Sequence, residues 1–323
     1  MEQVMSCVAY RAGKLLGDVA IDDISETLKQ PETFVWLDLR QTDAKVLGRI
    51  QQEFGLHELA IEDALAARQR PKIDAYGDSL FVVVKTVRLA DGDVRRGEMH
   101  AFVGERYIIT VRHDLSGDKD AIRQRAEENR DMLARGPGFA LYLILDVVVD
   151  NYLEIINQYQ TQFEAIESRL FKSEFDPRAM EQVYHLRRNL LSMHNAVIPL
   201  DDICGQLIHL HVKIIPKELR AYIRDIQDHA RQVLTLTDDM REMLTNAMHV
   251  NLALVSVKQN EVVKKLAGWG AILAIPTVIF SLYGMNFAVM PELKIPWGYP
   301  AVLLVTVIGC VGLYRKLKRA QWL

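Results

Sequence analysis

The sequence predicts an α/β domain that leads into a long helical stalk and ends in two transmembrane helices, and three features of the chain predict it. Two runs near the end, Leu266 to Pro291 and Ile295 to Tyr314, carry no charged residue. Each reaches the roughly 20 residues that cross about 30 Å of hydrocarbon. No proline or glycine stands between Pro216 and Gly268, so one helix can run from Lys217 through the first apolar run to Tyr283. At about 1.5 Å per residue it would be roughly 100 Å long. The first third instead holds short β-branched and aromatic runs bounded by turn residues.

Within that third, residues 1–136, Phe34 to Leu39, Leu80 to Val87, His100 to Val103 and Tyr107 to Val111 read as strands of one sheet. Ala44 to Phe54 and His57 to Ala67 have helical spacing, and Asp91-Gly92-Asp93 is a hairpin turn. Residues 137–215 read as a helical hairpin. Ala140 to Lys172 lacks proline and glycine, Asp176-Pro177 supplies an N-cap and a first-turn proline, and a second helix continues towards Pro199. Residues 216–265 are the stalk, whose seam of Ile223, Ile226, Ala230, Val233, Met240, Leu244, Ala247 and Leu254 is broken by Thr237 and Asn251. A seam of that length favours self-association over packing within one chain. Residues 266–286 and 297–314 are the two spans, 287–296 an external loop whose only charges are Glu292 and Lys294, and 315–323 a basic tail.

Charge orients the spans. Lys264 and Lys265 precede the first, and Arg315, Lys316, Lys318 and Arg319 follow the second. Positive flanks mark the cytoplasmic side, so both termini are expected in the cytoplasm of a protein of the cell (inner) membrane, with the lipid bilayer as a partner. Before Asp22 and Asp23 there is no apolar core of signal-peptide length, which keeps the large domain inside. A mean hydropathy of +0.01 and 25% charged residues are too polar for a carrier embedded along its whole length. The net charge of −3 argues against nucleic acid. Cys7, Cys204 and Cys310 are scattered, with neither disulfide nor zinc spacing. No Walker loop or nucleophile elbow points to an enzyme or to ATP coupling, and no catalytic cofactor is implied.

In the first span Ala267, Gly270, Ala274, Thr277, Ser281 and Gly284 recur at intervals of three and four. Such a face serves either tight helix packing or the wall of a narrow pore. Pro276 frees one backbone carbonyl, which either faces that pore or marks a packing kink. Gly309 and Gly312 form no comparable stripe in the second span, which is expected to face lipid.

Tyr283-Gly284-Met285-Asn286-Phe287, then Met290-Pro291-Glu292-Leu293, Trp297-Gly298-Tyr299-Pro300 and Gln321-Trp322-Leu323, resemble the signature of the CorA magnesium and cobalt transporters. Arg70-Pro71-Lys72-Ile73, His185-Leu186-Arg187-Arg188-Asn189-Leu190 and Arg224-Asp225-Ile226-Gln227-Asp228-His229 extend the resemblance into the cytoplasmic part. The resemblance implies a homopentameric, funnel-shaped channel for divalent cations, with the first span around the pore and the second outside it. Mg2+ would be both the transported and the regulatory ion, with Co2+ and Ni2+ as further cargo.

On that resemblance Gly284, Met285 and Asn286 form the selectivity filter. Mg2+ holds its waters at about 2.0–2.1 Å and sheds them reluctantly, so an uncharged amide oxygen can read the hydrated ion without trapping it. On its own, Asn286 could equally cap a helix. Glu292 would concentrate cations at the mouth, or simply be solvated. Asn260, Val263, Ala267, Gly270, Ala274, Thr277 and Ser281 would line the pore, with Val263 and Leu266 as the apolar gate. Asp225 and Asp228 match acids that bind regulatory Mg2+ between subunits, opposed by Asp91 or Asp93. His249 and Ser281 depart from residues that some relatives carry, and His209, His211 and His229 do not recur at metal spacing. The alternatives are a zinc transporter of the ZntB type, disfavoured by the intact Gly-Met-Asn, and a membrane-tethered oligomeric sensor without transport.

Overall fold

The computed structural model describes residues 4–66, 68–90, 92–113, 119–171, 176–211, 213–285, 290–291 and 295–323. They divide into two units, Met1–Ile166 with Arg178–Thr245 and Glu167–Pro177 with Asn246–Leu323.

In the first unit, β1 (Val4–Arg11), β2 (Lys14–Asp18), β3 (Thr33–Arg40), β4 (Lys72–Tyr76), β5 (Ser79–Ala90), β6 (Asp93–Val103) and β7 (Tyr107–His113) form one sheet in the order β2-β1-β3-β7-β6-β5-β4. Only β3 and β7, at its centre, run parallel. The four runs read as strands lie within β3, β5, β6 and β7; β1, β2 and β4 escape the sequence reading. β2 and β4 are short edges, and β4 depends on Lys72, whose Nζ lies 2.7 Å from both Asp63 and Asp74. Between β1 and β2 the chain turns at Ala12 and Gly13, with φ of 47° and 76°. A Cβ on Gly13 would stand 2.0 Å from the Arg130 carbonyl oxygen, so only glycine fits.

One face of the sheet is apolar and covered by short helices. Val35, Leu37, Leu39, Ile109 and Val111 meet Ile24 of α1 (Ile24–Leu28), Leu47 and Ile50 of α2 (Ala44–Phe54), and Ala60, Ile61 and Ala64 of α3 (Glu58–Ala66). Helix α2 has the bounds read from sequence. Asp43 caps it by accepting from the Lys45 and Val46 amides at 3.0 and 2.9 Å, and Gly55 ends it at φ 67°. Against the other face lie α4 (Lys119–Glu128), α5 (Arg130–Leu133) and α6 (Pro137–Leu170). Tyr10 Oη donates to Glu127 at 3.1 Å, and Tyr152 Oη to the Lys85 carbonyl at 2.6 Å.

Two buried carboxylates brace the sheet. Asp38 accepts from Thr110 Oγ1 at 2.6 Å and Arg112 Nε at 3.0 Å. Glu98 meets Lys85 Nζ, His100 Nε2 at 3.2 Å and the Gln69 amide at 3.0 Å. Burial raises the Glu98 pKa, but hydrogen bonds from His100 and Lys85 and the lysine charge outweigh it and hold the carboxyl at about 2. A depressed carboxyl stabilises the fold above its unfolded value, and that stability, about 3 kcal/mol, is lost as pH falls from about 4.5 towards 2. Glu98→Gln is therefore expected to lower the melting temperature of detergent-solubilised protein at neutral pH and to flatten its decline below about pH 4.5. An acid limb as steep as the parent's would contradict this role.

Helix α7 (Pro177–His209) begins at the proline read as its start but continues through Pro199 to His209, a correction to the predicted end. The proline removes one backbone donor. Buried Ala196, Val197, Leu200, Ile203 and Cys204 hold the helix on both sides of it. Helix α8 (Arg220–Tyr283) is a single element of 64 residues, as the proline-free run predicts.

The reading of its seam needs a second correction. Ile223, Ile226, Ala230, Val233, Met240, Leu244 and Ala247 are buried within one chain, so the seam itself is already covered; Leu254 is exposed. Polar links accompany this packing: Gln227 Nε2 donates to the Asp201 carbonyl at 3.1 Å, Arg231 Nε lies 2.8 Å from Asp201, and His194 Nε2 lies 3.3 Å from Asp238. Thr237, one of the two breaks in the seam, is satisfied by its own helix, donating to the Val233 carbonyl at 2.6 Å.

In the second unit, Asn251 accounts for the other break. Its Nδ2 donates at 2.9 Å to the carbonyl of Leu170, the last residue of α6, an acceptor that the helix end leaves without an intrahelical partner. Arg169 Nε pairs at 3.0 Å with Asp176, the residue before α7. The helices long and apolar enough to cross a membrane are α8 and α9 (Gly298–Arg319).

Candidate functional site: the membrane helix and the stalk acids

Helix α8 meets α9 through a defined face. A Cβ on Gly309 would lie 3.8 Å from Ile275, and the Trp269 and Tyr314 rings stand 6.3 Å apart. Pro276 cannot donate to the Ile272 carbonyl, and Cys310 Sγ lies 3.7 Å from that oxygen as its donor. The freed carbonyl thus faces α9 and not the side of the small-residue stripe. Thr277 turns its hydroxyl inward, donating to the Leu273 carbonyl at 2.8 Å.

At about 3.6 residues per turn, Gly268, Ile272 and Ile275 project from one side of α8, and Ala267, Gly270, Ala274, Thr277, Ser281 and Gly284 from nearly the opposite one. All six of these small residues are exposed in the chain, whereas Gly268 and Ile272 are buried. The stripe is therefore not the surface that packs the second span. Asn260 and Val263 continue it downwards, Val263 being 62% exposed, and Leu266 lies at its edge, 74% exposed. The exposed apolar residues of α9, among them Leu304, Val305, Val307, Ile308 and Val311, point away from this contact.

At its far end α8 closes with a tight turn. The Gly284 amide donates to the Phe280 carbonyl at 2.9 Å and the Ser281 carbonyl at 3.1 Å, and the Met285 amide to the Leu282 carbonyl at 3.3 Å. Met285 is exposed. Asn286 and Glu292 lie outside the described residues, as does Asp91.

The stalk acids fall into different surroundings. Asp225 and Asp228 are both exposed on α8. Asp228 lies 3.9 Å from Arg231. Asp225 instead faces α6, where it adds to a charge cluster that sequence reasoning missed. Burial, then the neighbouring Asp150, raise the Asp146 carboxyl above the usual carboxylate range; Arg125 and His229 oppose this, and Asp225 adds to it. Tyr142, in the same cluster, is pushed up to about 12 by burial, Asp146 and Asp225. The available signal was Asp146 within the otherwise apolar stretch Phe139 to Val149, with Asp150 four residues on, just past its end.

Asp93 sits elsewhere. Asn189 Nδ2 donates to the Gly92 carbonyl at 3.3 Å and to Asp93 Oδ1 at 3.4 Å, and Asp93 acts electrostatically on Tyr159 of α6. Asp146 and Tyr159 are roughly 20 Å apart along that helix, so one chain does not bring Asp93 and Asp225 to a shared ion. Among the described residues no three His, Cys, Asp or Glu side chains are grouped to hold a metal. His249 is exposed, and burial lowers the pKa of His211.

Comparison with known proteins matches the whole arrangement. The chain is 27% identical over 301 residues to the cobalt/magnesium transport protein CorA of Thermotoga maritima, covering 91% of this chain and 85% of that one. It is 31% identical to the YfjQ protein of Bacillus subtilis over 292 residues, 89% of this chain and 90% of the other. Among solved structures, the CorA magnesium transporter of Methanocaldococcus jannaschii superposes with a TM-score of 0.82 at 21% identity, covering 99% of both chains. The family model described as CorA-like Mg2+ transporter protein matches residues 31–319. With the α/β domain from β3 onward, the long helix α8 and the apolar helix α9 all inside that match, the chain belongs to the family of CorA-like Mg2+ transporters.

Proposed function

We propose that this protein is a passive, electrically driven channel for hydrated Mg2+, with Co2+ and Ni2+ as further cargo, built as a homopentamer with both termini in the cytoplasm. The observation that carries this reading is the small-residue stripe on α8, exposed along its length and turned away from α9. Five copies of that face around one axis make a narrow wall with little side-chain bulk. Asn286 stands where the stripe ends, Glu292 draws cations towards the mouth, and Val263 and Leu266 close the lower end by excluding water. The pore face is tested by thiol reagents. A cationic reagent is expected to block Mg2+ flux through Ala274→Cys and spare Trp269→Cys, exposed but more than a third of a turn away on the helix. The reverse pattern would overturn the assignment.

Internal Mg2+ closes the channel through the stalk acids. Within one chain these acids are not grouped to hold an ion, but Asp150 and Asp225 both disfavour the charged Asp146, a cost that a divalent ion completed by ligands of a neighbouring subunit would remove. An ion bound only when subunits sit in the closed arrangement shifts the population towards closure. Asp228, beside Arg231, contributes less. Asp225→Ala is expected to raise the internal Mg2+ needed for closure about tenfold. Asp146→Asn should do the same, and without divalent ions should also stabilise the protein slightly. Because its carboxyl is raised in the fold, the parent gains stability as pH falls through that value, and the asparagine variant loses this gain. Closure at the parent's Mg2+ concentration in both variants would contradict regulation by this cluster.

A further inference from the structure

The end of the described chain returns to α8. Beyond α9 the chain reverses at Gln321, whose φ is 57°, and the Trp322 amide donates to the Leu317 carbonyl at 3.0 Å. This turn brings Leu323 onto Gly268: a Cβ added there would stand 3.2 Å from Leu323 Cγ and Cδ2. Gly268 is outside the small-residue stripe, and its lack of a side chain makes the seat. From Leu252 to Ala267 every residue of α8 is exposed apart from half-buried Val255, and Gly268 is the first buried one after Asn251. The next is Ile272, one turn further on. Val263 and Leu266 stand five and two residues before the seat, roughly 8 and 3 Å along the axis.

We propose that Leu323 is a positioning residue for the constriction: seated on Gly268, it holds the turn of α8 that carries Val263 and Leu266 against α9. The proposal rests on reading those two residues as the apolar gate. Without the seat, the nearest covered residue recedes to Ile272, and the gate turn gains freedom to splay. An apolar ring excludes water only while it is narrow, so a loosened ring leaks when it should be closed.

The test uses full-length protein in liposomes, with Mg2+ flux measured against internal Mg2+ and hydrogen exchange followed at residues 262–267. Leu323→Ala is expected to raise residual flux at saturating internal Mg2+ about fivefold, the lower end of the range for coupled sites. It should also speed exchange at the gate turn, leaving the melting temperature and the Mg2+ over Co2+ ranking as in the parent. Leu323→Met should restore both readouts, and Gly268→Leu, which fills the seat, should reproduce the leak. Unchanged exchange at residues 262–267 in Leu323→Ala and Gly268→Leu would overturn the proposal, as would faster exchange with tight closure in a parent that itself closes. If the parent does not close with Mg2+ while exchange still rises in the variants, the positioning role stands and the gate reading fails.

Discussion

Asn286→Ala is expected to cut Mg2+ flux into liposomes by about a hundredfold while leaving the oligomeric state unchanged, because it removes the amide that the proposed filter offers to the hydrated ion. A single amide hydrogen bond is worth only about 0.5–1.5 kcal/mol. In the proposed homopentamer a ring of these amides would present several to the same water shell, and a hundredfold corresponds to about 2.7 kcal/mol. The turn at Gly284 and Met285 ends α8 immediately before this residue, at the end of the exposed stripe. Asn286→Asp should also lose throughput, for the opposite reason: a ring of full charges holds the ion too long and admits other cations. Measured side by side, parent-like flux in the alanine variant would remove Asn286 from the filter.

The second large effect is expected at the gate. Val263→Asn with Leu266→Asn should raise flux at high internal Mg2+ about tenfold or more, because amides would hydrate the dry constriction proposed at these residues. Both residues are exposed in the chain and stand on or beside the stripe, so polar replacements leave no cavity in its core. A stopped-flow comparison with Mg2+ loaded inside distinguishes this gate from the regulatory cluster. The gate variants should leak at every internal concentration, whereas Asp225→Ala should shift the concentration at which closure occurs. Tight closure in the double variant would place the barrier elsewhere.

Much of this architecture is legible in the sequence because its signals are long. The run without proline or glycine after Pro216 yields a 64-residue helix, and the charge-free segments yield the two apolar helices. Local chemistry suffices for α2, where Asp43 and Gly55 mark both ends. Short edges are harder: Lys72-Ile73-Asp74-Ala75-Tyr76 has little strand character, and its place is set by backbone pairing with β5 and by the ion pair of Lys72 with Asp63 of α3. Pro199 misleads because packing on both sides carries α7 past it. The stalk seam misleads differently. Its period is right, but the same pattern serves intramolecular and intermolecular contact, and the helical hairpin of this chain already covers it.

The site divides along the same line. Spacing alone gathers the small residues on one face, but the contacts of Ile272 with Cys310 and of Ile275 with Gly309 show that α9 occupies the other. Asp146 lies about 80 residues from Asp225 in sequence, so its proximity required the fold. Asp93, paired with Asn189, sits by Tyr159, roughly 20 Å along α6 from Asp146.

The central claim is that this chain alone forms a passive Mg2+ pathway. Its most direct test is purified protein in liposomes holding a Mg2+-sensitive dye, with an inside-negative potential set by potassium and valinomycin and no nucleotide present. The account predicts Mg2+ entry that grows with the potential and stops as internal Mg2+ rises. No Mg2+ entry under any potential, or zinc entry accompanied by protons with little Mg2+, would contradict it.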